Sequence, residues 1–130
     1  MYSAKTRGVH VSVTPSFMES ESSAKDNRYF WAYTIDIVNE ADQTVQLIAR
    51  HWHITDGHGQ LHEVKGPGVV GEQPVLKAGE RFTYTSGCPL DTPHGSMTGI
   101  FQMVAEDGAS FEATIPPFPL QSPYARNTLH

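Results

Sequence analysis

A chain of 130 residues is long enough to bury a core of its own without disulfides or metals. Its formal charge of −5 excludes a nucleic-acid partner held by bulk electrostatics, and no apolar run approaches the roughly 20 residues a membrane span needs. Residues 1–5 lack the apolar core of a secretory signal, and a lone cysteine, Cys88, can form no internal disulfide. A reducing cytoplasm is therefore the expected compartment.

With 9 prolines and 11 glycines, the composition favours short strands and tight turns over long helices. Residues 7–14 alternate, with Val9, Val11 and Val13 on one face, and predict a half-buried strand closed by Pro15. The polar stretch 19–27 reads as an exposed loop. Residues 28–39 carry the strongest strand pattern: Tyr29, Trp31, Tyr33, Ile35 and Ile37 on one face, Phe30, Ala32, Thr34 and Val38 on the other. Two largely apolar faces predict a central strand packed on both sides.

Residues 44–55 predict the next strand, but the apolar phase changes from Val45 and Leu47 to Trp52 and Ile54. One extra residue near Ala49 to His51 accounts for this, because a β-bulge moves later side chains to the other face. Asp56-Gly57-His58-Gly59 predicts a hairpin turn, with a short return strand over 60–64. Residues 65–74 form a glycine-rich loop, 74–80 a strand edge and turn, and 81–86 a strand with Phe82 and Tyr84 on one face. Residues 87–95 hold too much Pro and Gly for a helix and read as a long connection.

Two strands, 97–105 and 110–115, flank Glu106-Asp107-Gly108. A two-residue turn pairs Val104 with Phe111. A three-residue turn ending in a left-handed Gly108 pairs Met103 with Phe111 and Phe101 with Ala113, and is preferred because both pairs are apolar. The tail Pro116-Pro117-Phe118-Pro119-Leu120 lacks the donors for a sheet interior, so it is expected along an edge, with Phe118 and Leu120 dropped onto the body. About seven short antiparallel strands with frequent turn signals predict an all-β sandwich, a single domain over 1–130 with its core at about 7–122.

Arg50-His51-Trp52, Ile54-Thr55-Asp56-Gly57, the run from Val64 through Gly66-Pro67-Gly68 to Pro74, and Phe82-Thr83-Tyr84-Thr85-Ser86-Gly87-Cys88-Pro89-Leu90 resemble the ApaG family. Gly95-Ser96-Met97-Thr98-Gly99 and Ile115-Pro116-Pro117-Phe118-Pro119-Leu120 extend the resemblance to about residues 7–122. It implies a fibronectin type III or immunoglobulin-like sandwich. It also implies an association with cobalt resistance and magnesium efflux, and an interaction module rather than an enzyme.

Gly66-x-Gly68-x-x-Gly71 has the spacing of a dinucleotide-binding loop, but that chemistry needs a helix whose amino terminus holds the pyrophosphate. Pro74 and Val75 make a helix poor there, so a Rossmann reading is rejected. A backbone nest for a pyrophosphate or dinucleoside polyphosphate, with Lys65 and Arg50 beside Gly66, Gly68 and Gly71, is the alternative that remains. The primary reading of these glycines is structural, since glycine serves awkward backbone without any ligand and Glu72 brings a negative charge. Gly68→Ala is accordingly expected to disturb the loop more than global stability.

His51 and His53 lie two apart on a strand, and His58 and His62 flank the next turn; together they form a candidate site for Co²⁺, Ni²⁺ or Zn²⁺. Asp56 and Glu63 are the nearest carboxylates but have no diagnostic spacing, and exposed hairpin histidines are the simpler reading. Cys88 and His94 share a loop without a recognisable nucleophile context. No catalytic residues and no cofactor are assigned. The expectation is a non-enzymatic binding or interaction module with a protein partner, with pairing at an open sheet edge as a route to a homodimer.

Overall fold

Alternating apolar residues dictate strands, and the computed structural model, which describes residues 1–128, has nine. They are β1 (Tyr2–Thr6), β2 (Val9–Phe17), β3 (Tyr29–Asn39), β4 (Val45–Asp56), β5 (Leu61–Pro67), β6 (Val75–Leu76), β7 (Arg81–Leu90), β8 (Gly95–Ala105) and β9 (Ser110–Leu120). Short 3₁₀ turns lie at Glu19–Glu21, Ala24–Asp26 and Pro123–Thr128. One antiparallel sheet has the order β1-β2-β3-β7; the other has β5-β4-β8-β9, with β6 added to β4. The fold is the all-β sandwich expected, with two more strands than the seven anticipated.

β6 is the strand edge expected within 74–80, and β1 is the addition that its weak patterning hides. β1 is an edge strand with no fully buried residue, and Arg7 belongs to its turn rather than to β2. Arg7 and Gly8 have φ of 49° and 83°, the left-handed pair that a two-residue hairpin requires. β2 runs through Pro15 to Phe17 instead of stopping at Pro15. Pro15 pairs with Tyr33 but lies beyond the end of β1, where a missing donor costs no ladder bond. β7 likewise continues through Gly87, Cys88 and Pro89, where a connection was expected, because it is an edge strand paired only to β3.

β3 is central in its sheet, between β2 and β7. Its inward face, Tyr29 to Ile37, is buried, whereas the outer face is only half covered, so packing on both sides is not what the strand experiences. Trp31, Phe101 and Phe118 are at most 2% exposed. Each contributes roughly 2–3 kcal/mol through burial of apolar surface. Tyr33 meets Trp52 edge-on at 5.3 Å across the inter-sheet space.

The β8–β9 turn adopts the three-residue form, with Met103 opposite Phe111, Phe101 opposite Ala113, and Gly108 at φ 88°. The proline tail is part of β9, an edge strand. Its register on β8 shifts between Met97 and Gly99, where Pro116 and Pro117 are accommodated, and Phe118 and Leu120 are buried.

The bulge in β4 falls between Leu47 and Ala49, at Ile48, ahead of the expected position. It therefore leaves the phase of residues 50–56 intact. Arg50, Trp52, Ile54 and Asp56 face inward, and His51 and His53 share the outer face. β1 and β2 pack against β9 and close one side of the sandwich, with the Thr114 amide donating to Thr6 Oγ1 at 3.1 Å. On the other side β5 and β7 are both terminal strands, and side chains of both line one cavity between the sheets.

Candidate functional site

The open side of the sandwich is a cleft whose larger part, about 440 Å³, is walled by Trp52, Ile54, Val64, Leu90 and Met97, with Cys88 at its base. A polar corner of about 200 Å³ adjoins it, lined by Tyr33, Arg50, Tyr84, Ser86 and the loop residues Val69, Val70 and Gly71. Arg50 reaches this corner because the Ile48 bulge turns it inward at the point where its partner on β5 is Gly66. A Cβ at Gly66 would stand 2.9 Å from Arg50 Nη1, so this glycine makes room for the guanidinium.

The glycine loop is sewn to the bulge. The Gly68 amide donates to the Ile48 carbonyl at 2.8 Å, and Gln73 Nε2 donates to the same oxygen at 2.8 Å. The amides of Val69 and Glu72 donate to each other's carbonyls at 2.8 and 2.9 Å, closing a two-residue turn. Val70 and Gly71, with φ of 44° and 81°, occupy its left-handed positions. Three of the amides that a nest would aim at an anion are thus already donated within the protein. Val69 is fully buried, which makes the loop part of the core. β5 also extends to Pro67, so Lys65 and Gly66 are strand residues, not loop.

Arg50 Nη1 donates to the carbonyls of Pro67 and Gly68 at 3.1 and 3.0 Å, and among the described residues no carboxylate pairs with it. Lys65 pairs with His51 in register and therefore projects from the outer face, away from Arg50. Tyr84 is 8% exposed, and its hydroxyl finds no hydrogen-bond partner among the described residues. Burial drives its pKa well above the ordinary tyrosine value, against a smaller opposing pull from Arg50. Burial also raises Tyr33, partly offset by the neighbouring Ser86 hydroxyl. Desolvation pushes the Cys88 thiol up to about 11, which leaves it protonated and a poor nucleophile at neutral pH. The arrangement offers hydrogen-bond donors and one uncompensated positive charge beside an apolar wall, the chemistry of a site for a ligand with an acidic head.

The histidines divide between the two faces. His51 Nε2 lies 2.7 Å from Glu63 Oε1 and His53 Nε2 lies 3.4 Å from the same oxygen, on the outer face. The carboxyl of Glu63 is held below its usual range, first by the His51 hydrogen bond. His58 is exposed on the hairpin turn, where its amide donates to Asp56 Oδ1 at 2.9 Å. His62 faces inward and meets Asp56 Oδ2 at 2.9 Å. The four histidines weighed as one candidate metal site do not come together: His51 and His53 lie beside Glu63, His58 is exposed, and His62 faces inward. Tyr84 and Ser86 escaped sequence reasoning because Tyr84 reads as an apolar position, although a buried tyrosine hydroxyl is itself a demand for a partner.

The family description ApaG domain matches residues 19–105. "Protein ApaG" of Methylobacterium sp. (strain 4-46) is 57% identical over 130 residues, covering 100% of both chains. That of Beijerinckia indica subsp. indica is 56% identical over the same span. A Bordetella pertussis crystal structure carrying the name ApaA superposes with a TM-score of 0.87 at 47% identity, covering 92% of this chain and 97% of its own. None of these names specifies a reaction. On the family match and on identity across its whole length, the chain belongs to the ApaG domain family.

Proposed function

We propose that the protein is a non-catalytic binding domain that takes an anionic group of its partner into the inter-sheet cleft. The observation that carries this reading is the buried Tyr84 hydroxyl, without a hydrogen-bond partner among the described residues, in the same corner as the Arg50 guanidinium, which meets backbone carbonyls but no carboxylate there. Leaving a buried hydroxyl unsatisfied costs about 1–3 kcal/mol, a penalty that a bound acceptor relieves. Relative to the anion nest weighed as the alternative for the glycine loop, this reading keeps Arg50 and Gly71 and drops Lys65, which lies on the other face. The protonated state of Cys88 supports a binding role over nucleophilic chemistry. A part in cobalt resistance and magnesium efflux rests on the family resemblance and would follow from what the cleft binds; the lone thiol keeps the cytoplasm as the expected compartment.

Amide NMR titration with pyrophosphate tests the reading. Saturable shifts are expected at Val70, Gly71, Tyr84 and Ser86, with Lys65 silent. Shifts confined to Lys65 and Gly66, or none below millimolar concentration, would count against the cleft as an anion site.

A further inference from the structure

A second site, independent of the cleft, is built on the outer face of the β4–β5 hairpin. We propose that His51, His53 and Glu63 bind one divalent transition-metal ion, of the Zn²⁺ or Ni²⁺ type, through two imidazole nitrogens and a carboxylate oxygen. β4 supplies the histidines. With the bulge placed before them, residues 51 and 53 project from the same face, and their rings stand 4.4 Å apart. β5 supplies the third ligand, since Glu63 is directly opposite His53 in register and diagonal to His51. The three donor atoms all lie within 4.8 Å of one another. Ligands held at about 2.0–2.2 Å around a zinc ion lie roughly 3–3.5 Å apart, so closing the set requires only small side-chain rotations on a rigid two-strand platform.

The donor chemistry selects the ion. Two imidazoles with one carboxylate suit zinc, nickel and their neighbours, whereas Mg²⁺ prefers oxygen donors and keeps its water. Each imidazole must present an unprotonated Nε2, so His51, whose Nε2 faces the Glu63 carboxylate at 2.7 Å, must carry its ring proton on Nδ1 once the ion takes the place of that hydrogen bond. The side chains of His51, His53 and Glu63 are 26%, 39% and 50% exposed, so water can complete the coordination. Lys65, facing the same side opposite His51, places a positive charge nearby and moderates the affinity. His62, on the inward face and occupied with Asp56, and the exposed His58 lie outside the set.

Calorimetry with Zn²⁺ on the intact chain, alongside long-range ¹H–¹⁵N spectra of the imidazoles, tests this. One saturable site is expected, with nitrogens of His51 and His53 shifting and those of His58 and His62 unmoved. H53A should weaken binding by about 10-fold or more, E63Q by a smaller factor, and H62A not at all. All three positions are partly or well exposed, so the variants should stay folded, with H62A moving amides near Asp56 and leaving those around His51 and His53 in place. Zinc binding that survives H53A, that is lost in H62A, that Mg²⁺ displaces at equal concentration, or that is absent up to millimolar zinc would overturn the assignment.

Discussion

Tyr84 combines two properties that ordinarily exclude one another: it is a core side chain, yet its hydroxyl has no hydrogen-bond partner among the described residues. Removing that oxygen gives an asymmetric outcome. Tyr84→Phe is expected to leave the unliganded protein as stable or more stable by about 1 kcal/mol, because an unsatisfied buried polar atom disappears. The same change should weaken pyrophosphate binding, since one donor at the corner is lost. Urea unfolding and the NMR titration read the two effects separately; a destabilised variant with unchanged binding would mean that the hydroxyl serves the fold instead. Cys88 offers a second residue-level test. With its thiol raised to about 11 by burial, its thiolate is scarce at pH 8. Alkylation of the native protein should run roughly 100-fold or more slower than that of the urea-unfolded chain. Comparable rates in the two states would show that the cleft floor is open to solvent.

At the scale of elements, the loops show why a pattern of glycines reads ambiguously. Gly108 and Gly68 both have positive φ, 88° and 60°, but their surroundings differ. A Cβ at Gly108 would meet nothing within 4 Å, whereas one at Gly68 would stand 2.1 Å from the Glu72 carbonyl oxygen. Gly108→Ala should therefore cost about 1 kcal/mol from backbone strain alone. Gly68→Ala should cost about 2–4 kcal/mol, because the turn that seats Val69 in the core must open. This runs against the expectation that Gly68→Ala disturbs the loop more than global stability. Urea denaturation of both variants decides it; equal losses would show that the loop yields without disturbing the core.

The same contrast marks what the sequence made legible. The β8–β9 register was readable because the two candidate turns made different cross-strand pairs, and the three-residue turn set Met103 on Phe111 and Phe101 on Ala113, apolar on apolar in both. The existence of the β4 bulge was readable from the phase change, but not its place at Ile48, because the bulge is fixed by Gly68 and Gln73 donating to one carbonyl across the loop. That placement decides which face carries Arg50 and which carries His51 and His53. The cleft and the histidine–glutamate group were consequently out of reach of spacing arguments, whereas the sandwich itself was not.

For the molecule as a whole, the two sides of the sandwich differ in how they are held. One side is closed by β1 and β2 against β9; the open side depends on the β4–β5 hairpin, and Asp56 is the anchor at its end. The Asp56 side chain is 2% exposed, with Oδ1 accepting from the His58 and Gln60 amides at 2.9 and 3.0 Å and Oδ2 meeting His62 Nε2. The His62 hydrogen bond, aided by the two amides and opposed by burial, holds its carboxyl below the usual aspartate range. Because the folded pKa is depressed, the unfolded chain takes up this proton first as pH falls. The contribution is complete above the ordinary carboxylate pKa of about 3.9, and is lost as pH drops through the lower folded value. Asp56→Asn keeps an oxygen for the two amides but removes the titrating charge facing His62. Its stability deficit relative to the wild type should be largest at neutral pH and should shrink as pH falls through about 4 toward the folded value. Urea unfolding of both proteins at several pH values between 7 and 3 measures that gap. A deficit that stays constant across the range would show that Asp56 anchors the hairpin by shape and neutral hydrogen bonds, with its charge irrelevant to the acid limit of the fold.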